Sequence, residues 1–190
     1  NGNTPTVSGS LYFEAGANTL GTLNHNVING GSYYNIGSAV TIANMNIVLG
    51  ELRSSTNVTV TSTWSNAGTF NQTANTTYFS NPGDTIAING SGINSFWNFE
   101  ISANTGVTTS NDIYIKFNFV NSSDTNPAFS ASNGTVFFNQ TGGTQYIQGT
   151  GTGSVNFYNL TFNATGGKYI ARNINVANNF NVDAVATTVY

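Results

Sequence analysis

Cysteine is absent from the chain. No disulfide framework and no thiolate metal site can therefore form. Charge is nearly as scarce. Lys and Arg together number 4 and Asp and Glu 7 in 190 residues, for a net charge of -3, roughly a quarter of the usual charged share. The four basic residues, Arg53, Lys116, Lys168 and Arg172, are scattered, so no phosphate-tracking surface and no nucleic-acid partner is expected. No apolar run approaches the roughly 20 residues a membrane helix needs, so membrane insertion is not expected either. Helical periodicity is also missing. Apolar residues nowhere recur at i, i+3, i+4, i+7 over three turns, and the Asn, Thr, Ser and Gly content costs several tenths of a kcal/mol per residue in a helix (~0.5).

What the sequence holds instead is strand language. Phe157-Tyr-Asn-Leu-Thr-Phe162 alternates apolar with polar residues, breaks at Gly166-Gly167, and resumes as Ala171-Arg-Asn-Ile-Asn-Val-Ala-Asn-Asn-Phe-Asn-Val182. An earlier phrase, Phe96-Trp-Asn-Phe-Glu-Ile101, reads the same way, as do Asn57-Val-Thr-Val-Thr61 and Thr135-Val-Phe-Phe138. Period-2 alternation between Gly, Asn and Pro-Gly turn signals predicts short strands throughout. Aromatic and β-branched residues are plentiful enough to bury a core despite the low charge.

Three imperfect repeats can be laid over one another, at about 7–50, 64–121 and 127–183, with Phe96 and Phe157 opening the central phrase of the second and third. Strand triplets recur at about ten-residue intervals inside each repeat, so each holds about three rungs of roughly twenty residues. The expected fold is all-β: one right-handed parallel β-helix of roughly nine short rungs over residues 1–190. Inward Phe, Ile, Val and Leu form ladders and Asn stacks at the turns. Like charges would stack at the close inter-strand spacing, which explains their rarity. The rival is an antiparallel immunoglobulin-like β-sandwich, which also alternates and turns at similar intervals. The chain opens on Asn1-Gly-Asn-Thr-Pro-Thr and closes in strand-like Ala184-Val-Ala-Thr-Thr-Val-Tyr190. The expectation is a processed or internal boundary, with the segment part of a longer chain.

No residue cluster reads as an active site. The seven carboxylates are spread, with no D-x-D pair, and His25, the single histidine, is expected at a turn or on the surface. The weakest alternative, a β-helix enzyme, needs Lys116, Arg172, Asp112 and Asp183 to converge through stacking. The expectation is therefore no enzyme, no cofactor and no metal. Trp64, Tyr33 and Tyr34 are the candidates for stacking on glycan rings, because they differ between the repeats and aromatic faces bury large areas. The stretch Asn121-Ser-Ser-Asp-Thr-Asn-Pro127 is the longest loop and the candidate insertion.

The order Trp64-Ser-Asn-Ala-Gly-Thr-Phe70, Thr77-Tyr-Phe79, Phe96-Trp-Asn-Phe-Glu-Ile101, and then Gly134-Thr-Val-Phe-Phe-Asn139, Thr144-Gln-Tyr-Ile-Gln-Gly149 and Phe157-Tyr-Asn-Leu-Thr-Phe-Asn163 resembles a repeat of very long secreted proteins of Bacteroidota. The resemblance, to SprB-like gliding adhesins and related type IX secretion cargo, covers about residues 9–182. It implies a cell-surface or extracellular location and a structural or adhesive role, in surface attachment or gliding motility. It also implies neighbouring repeats or like subunits as partners, with surface polysaccharide and the type IX secretion machinery as further ones. Under it Asp84-Thr85-Ile86 resembles that phylum's O-glycosylation signal, with Thr85 as acceptor. Nine N-x-S/T matches, among them Asn121 and Asn133, fall in a chain so rich in Asn and Thr that chance supplies most of them. A different class of expectation is a filament subunit joined by a donated N-terminal strand, residues 1–7.

Overall fold

The computed structural model describes residues 9–11, 18–26, 33–183 and 188–189. Its strands wind into successive turns of a right-handed parallel β-helix. The first turn holds β1 (Gly9–Leu11) and β2 (Thr19–Asn26), and the second β3 (Tyr33–Ile36) and β4 (Val40–Leu49). The third holds β5 (Glu51–Ser54) and β6 (Val58–Asn66), and the fourth β7 (Thr69–Gln72), β8 (Thr76–Phe79) and β9 (Thr85–Asn89). The fifth is β10 (Ile93–Phe96), β11 (Asn98–Ile101) and β12 (Gly106–Thr109); the sixth is β13 (Ile113–Ile115), β14 (Phe119–Asn121) and β15 (Phe129–Ala131). The seventh is β16 (Thr135–Phe138), β17 (Gln145–Gln148) and the start of β18 (Val155–Phe162). The rest of β18, β19 (Gly167–Ile170) and the start of β20 (Asn175–Val182) make the eighth, and the remainder of β20 with β21 (Thr188–Val189) begins another.

Every pairing among the described residues is parallel. An antiparallel sandwich is thereby excluded. Three faces result. The first stacks Tyr34, Leu52, Phe70, Asn94, Ile113, Val136, Leu160 and Phe180 in register. The second stacks Val40, Val58, Thr77, Phe99, Phe119, Ile147 and Ile170. The third stacks Ile86, Val107, Phe129 and Val155. Period-2 alternation turns these residues inward, and most are buried. Neighbouring rings meet across turns, as when Phe99 stacks on Phe119 at 5.4 Å and meets Phe129 edge-on at 5.9 Å. Burying each such ring stabilises by about 1.5–3 kcal/mol.

Outward strand positions and corners explain the polar composition. On the strands Asn46 donates to its in-register neighbour Asn24 Oδ1 and Asn175 to Asn156 Oδ1, and beside a corner Asn178 donates to Asn159 Oδ1, at 2.7–2.9 Å. Asn98 Oδ1 takes the Asn118 N–H, and Asn118 Oδ1 takes the Tyr146 N–H. Glycine is required where turns press together: a Cβ on Gly149, at φ 128°, would lie 2.0 Å from the Asn121 carbonyl oxygen.

The long loop after β14 is stitched to the turn below it. Asn121 Nδ2 donates to the Gly153 carbonyl, Thr152 donates to Asp124, and Ser154 to Asn126. Asn121 is fully buried, so its N-x-S match offers no acceptor in the folded chain.

The repeated phrases do not occupy repeated places. Phe96 ends β10 on the first face, in register with Ile115, whereas Phe157 pairs with Val176 on the third face. Tyr78 and Phe79 lie on the second face, while Val136 to Phe138 lie on the first. The 61-residue offset between Phe96 and Phe157 therefore does not span a whole number of turns. What recurs in the sequence is a strand, a corner and a strand, used at different corners.

Candidate functional site

The three aromatic residues expected to stack on glycans are placed differently from one another. Trp64 is fully buried, with Phe70, Phe79 and Phe96 around it at 4.9–5.8 Å, and its indole N–H donates to Asn94 Oδ1 at 2.8 Å. It presents no ring face to a ligand; its place is in the core, because alternation along β6 turns it inward with Val58 and Val60. Tyr34 packs against the core and meets His25 edge-on at 5.8 Å. Tyr33 faces out, but the Arg53 guanidinium lies 3.6 Å over its ring. The three do not form one platform.

His25 is 5 % exposed rather than at the surface, its Nε2 has no partner, and burial lowers its pKa against the pull of a hydrogen bond with the Glu51 backbone. Thr85 is exposed at the start of β9, beside a shallow depression lined by Pro82, Gly83, Asp84, Asn104 and Thr125, and Asp84 Oδ1 accepts its backbone N–H.

The four residues of the enzyme alternative have separate partners. Lys116 donates to Asn71 and the Gln72 carbonyl. Arg172 donates to the carbonyls of Asn121 and Gly153. Asp112 accepts the Thr135 N–H, and the Asp183 N–H donates to the Phe162 carbonyl. No group of three or more His, Asp and Glu able to hold a metal occurs among the described residues.

One polar network does converge, on the outer side of the first face. Glu51 and Arg53, two apart on β5, point the same way, and Arg53 Nε and Nη2 donate to the two Glu51 carboxylate oxygens at 2.7 and 3.1 Å. Asn71, the in-register neighbour of Arg53, donates to Glu51 Oε1 at 2.9 Å. Its own Oδ1 accepts from Lys116 Nζ at 2.6 Å, and the Gln72 carbonyl accepts from the same amine at 2.8 Å. Lys116 follows β13 in the sixth turn and so arches across the fifth to reach the fourth. The Arg53 hydrogen bonds hold the Glu51 carboxyl below its ordinary pKa, and burial lowers that of the Lys116 amine, with Glu51 pulling it back up. Sequence reading could have paired Glu51 with Arg53 from their i, i+2 spacing. It could not have found Asn71 and Lys116, because their meeting depends on the register of four turns.

Aromatic pairs continue the same outer surface. Tyr114 stacks on Phe137 at 4.9 Å with planes 9° apart, and Trp97 on Phe117 at 6.0 Å and 20°. On the second face Tyr146 stacks on Tyr169 at 5.3 Å. Comparison with protein-family models, with curated proteins and with solved structures finds no match for this chain.

Proposed function

We propose that this chain is a non-enzymatic, extracellular structural and adhesive segment of a large bacterial surface adhesin, of the kind its repeat phrases resemble, serving surface attachment or gliding. The observation that carries the reading is the unbroken stack of parallel turns with an apolar core from β3 to β19. Backbone ladders running the length of the axis make a stiff spacer, and an outer surface of Asn, Thr and Ser with few charges suits contact with hydrated, mostly neutral glycan. Localisation in native cells and retention under flow test it. Antibody against the chain should label intact cells, and beads coated with it should hold on polysaccharide-coated glass. Labelling only after cell lysis would contradict the reading.

A second reading is a self-assembling filament. Phe180 and Val182 continue the ladders of Leu160 and Phe162, yet are 50 % and 41 % exposed. A further parallel strand, of the same chain or of a second copy, would cover them. The candidate donor strand, residues 1–7, lies outside the described residues. Sedimentation at rising concentration separates the readings: fibres favour the filament, a constant monomer the tethered rod.

A further inference from the structure

The corner between the second and third faces varies in length from turn to turn. It spans residues 80–84 in the fourth turn, 102–105 in the fifth and 122–128 in the sixth. The short fifth corner is therefore recessed between two longer neighbours, and the depression beside Thr85 is this recess. Its volume is about 580 Å³, within the range of small-ligand sites. Asn104 forms the floor, Pro82 to Thr85 one wall and Thr125 the other. Hydrogen bonds tie the frame together across all three turns. The Gly83 N–H donates to the Asn104 carbonyl at 2.7 Å, the Asn81 N–H to Thr105 Oγ1 at 2.8 Å, and the Thr105 N–H to Ser123 Oγ at 3.1 Å.

At other corners, side chains of this kind are engaged by a neighbouring turn. Asp124 accepts from Thr152, and Asp112 accepts the Thr135 N–H. Asn75 and Asn104 are the two non-glycine residues with a left-handed backbone among the described residues, at φ 65° and 56°. Glycine adopts that conformation at less cost. Asn75 has a structural use for its side chain, which donates to the Ser55 carbonyl at 2.7 Å. The Asn104 carboxamide has no partner among the described residues, and neither do the Thr85 and Thr125 hydroxyls. Asp84 Oδ1 accepts the Thr85 N–H, which leaves Oδ2 open.

We infer that this recess binds one sugar unit of a neutral glycan. Neighbouring hydroxyls of the pyranose donate to Asp84 Oδ2 and exchange hydrogen bonds with the Asn104 carboxamide and the two threonine hydroxyls. A hydroxyl both donates and accepts, which suits a site where carboxylate, carboxamide and hydroxyl groups stand side by side. The C–H face of the sugar lies on the exposed Pro82 ring. The fourth and sixth turns are about 10 Å apart, two inter-strand spacings, which admits a single ring. No basic residue lines the recess and Asp84 is its one charged group, so an anionic sugar meets repulsion there. The inference rests on the adhesive reading and gives it a site. A rod that labels intact cells but takes no sugar in the recess would sink this inference and leave that reading standing.

The test is amide chemical-shift mapping of the whole chain, made without modifying enzymes and with an intact mass equal to the bare sequence, so that Thr85 is free. The probes are cellotetraose, laminaritetraose, mannotetraose, tetragalacturonate and calcium chloride. The expected result is saturable shifts at Gly83, Asp84, Thr85, Asn104 and Thr125 with at least one neutral tetrasaccharide, and none there with tetragalacturonate or calcium. Asn104→Gly, which suits the left-handed backbone and removes the carboxamide, should weaken that binding by about fivefold or more. Asn75→Gly, the same change at the other left-handed corner, should leave it unchanged, and thermal melting checks that both variants are folded. The inference is overturned if no neutral tetrasaccharide shifts these amides, if tetragalacturonate or calcium shifts them as strongly, or if Asn104→Gly binds like the native chain.

Discussion

In turns three to five Asn94 sits inside the core with its Oδ1 accepting the Trp64 indole N–H at 2.8 Å and an Asn66 amide N–H at 3.0 Å. In turns seven and eight Lys168 sits as deep, 1 % exposed, and its amine has no partner. Its in-register neighbour Gln145 spends Nε2 on the carbonyls of Ile115 and Lys116 but leaves Oε1 unpaired, and Asn139 Oδ1 is unpaired as well. Both regions put polar groups where ladder positions call for apolar ones. The first closes its hydrogen bonds between the third and fifth turns and holds Trp64 in one orientation. The second leaves a buried cation uncompensated, at a free-energy cost. A β-helix therefore tolerates a polar rung where a nearby turn supplies the complementary atom, and is weakened where none does.

Substitutions break that comparison in order of size. Trp64→Ala should cost most, about 3–5 kcal/mol, measured by denaturant unfolding, because it opens a cavity among Phe70, Phe79 and Phe96. Asn94→Leu keeps the bulk but orphans the indole N–H, and should cost about 1–3 kcal/mol. If it stabilises instead, the network is not what holds Trp64.

Lys168→Met should have the opposite sign, gaining about 1–3 kcal/mol, since it removes an unpaired buried amine and keeps the stem. The same residue gives a pH signature. Burial lowers the Lys168 pKa below the amine's ordinary value of 10.5, so between the folded and unfolded values the unfolded chain holds the proton more tightly. Stability should rise with pH through that window and level off near 10.5. Lys116 is shifted the same way, so in Lys168→Met the rise should shrink rather than vanish. An unchanged slope would mean that Lys168 is not buried in solution.

The smallest effect belongs to the surface. Glu51→Gln should cost less than about 1 kcal/mol near neutral pH. The lowered Glu51 pKa means its contribution is present above about pH 4.5 and lost as pH falls through the folded value. The variant should therefore match the native chain in acid and differ only above it.

Much of the fold was legible because alternation needs no partner to be seen. Val58 and Val60, or Leu160 and Phe162, point inward in any sheet that buries one face, and the Asn and Gly corners are visible as interruptions. The repetition pointed to parallel winding over an antiparallel sandwich without marking where the turns lie. Register was not legible. The phrases at Phe96 and Phe157 look alike because each crosses a corner, and only the pairing with Ile115 and with Val176 shows that the corners differ. The buried Lys168 was missed for a related reason. In Gly167-Lys-Tyr-Ile170 the charge faces in and Tyr169 stacks outside on Tyr146, an inversion of the polarity rule that composition does not signal. Trp64 differs between the repeats, which makes it look like a surface candidate, but alternation along β6 turns it inward among Phe70, Phe79 and Phe96. The Glu51, Arg53, Asn71 and Lys116 strip spans residues up to 65 positions apart and exists only once turns three to six are stacked.

The in-register parallel stack underlies all of these statements, and one cross-link tests it most directly. The chain has no cysteine, so Ser65→Cys with Asn89→Cys introduces a single possible intramolecular bridge. These residues are exposed neighbours on adjacent turns, at the spacing of about 4.8 Å that disulfide geometry accepts. Mild oxidation of the folded double variant should give a monomer lighter by two hydrogens, with its melting temperature kept or raised. A folded monomer that keeps both thiols free under the same oxidation would contradict the stack.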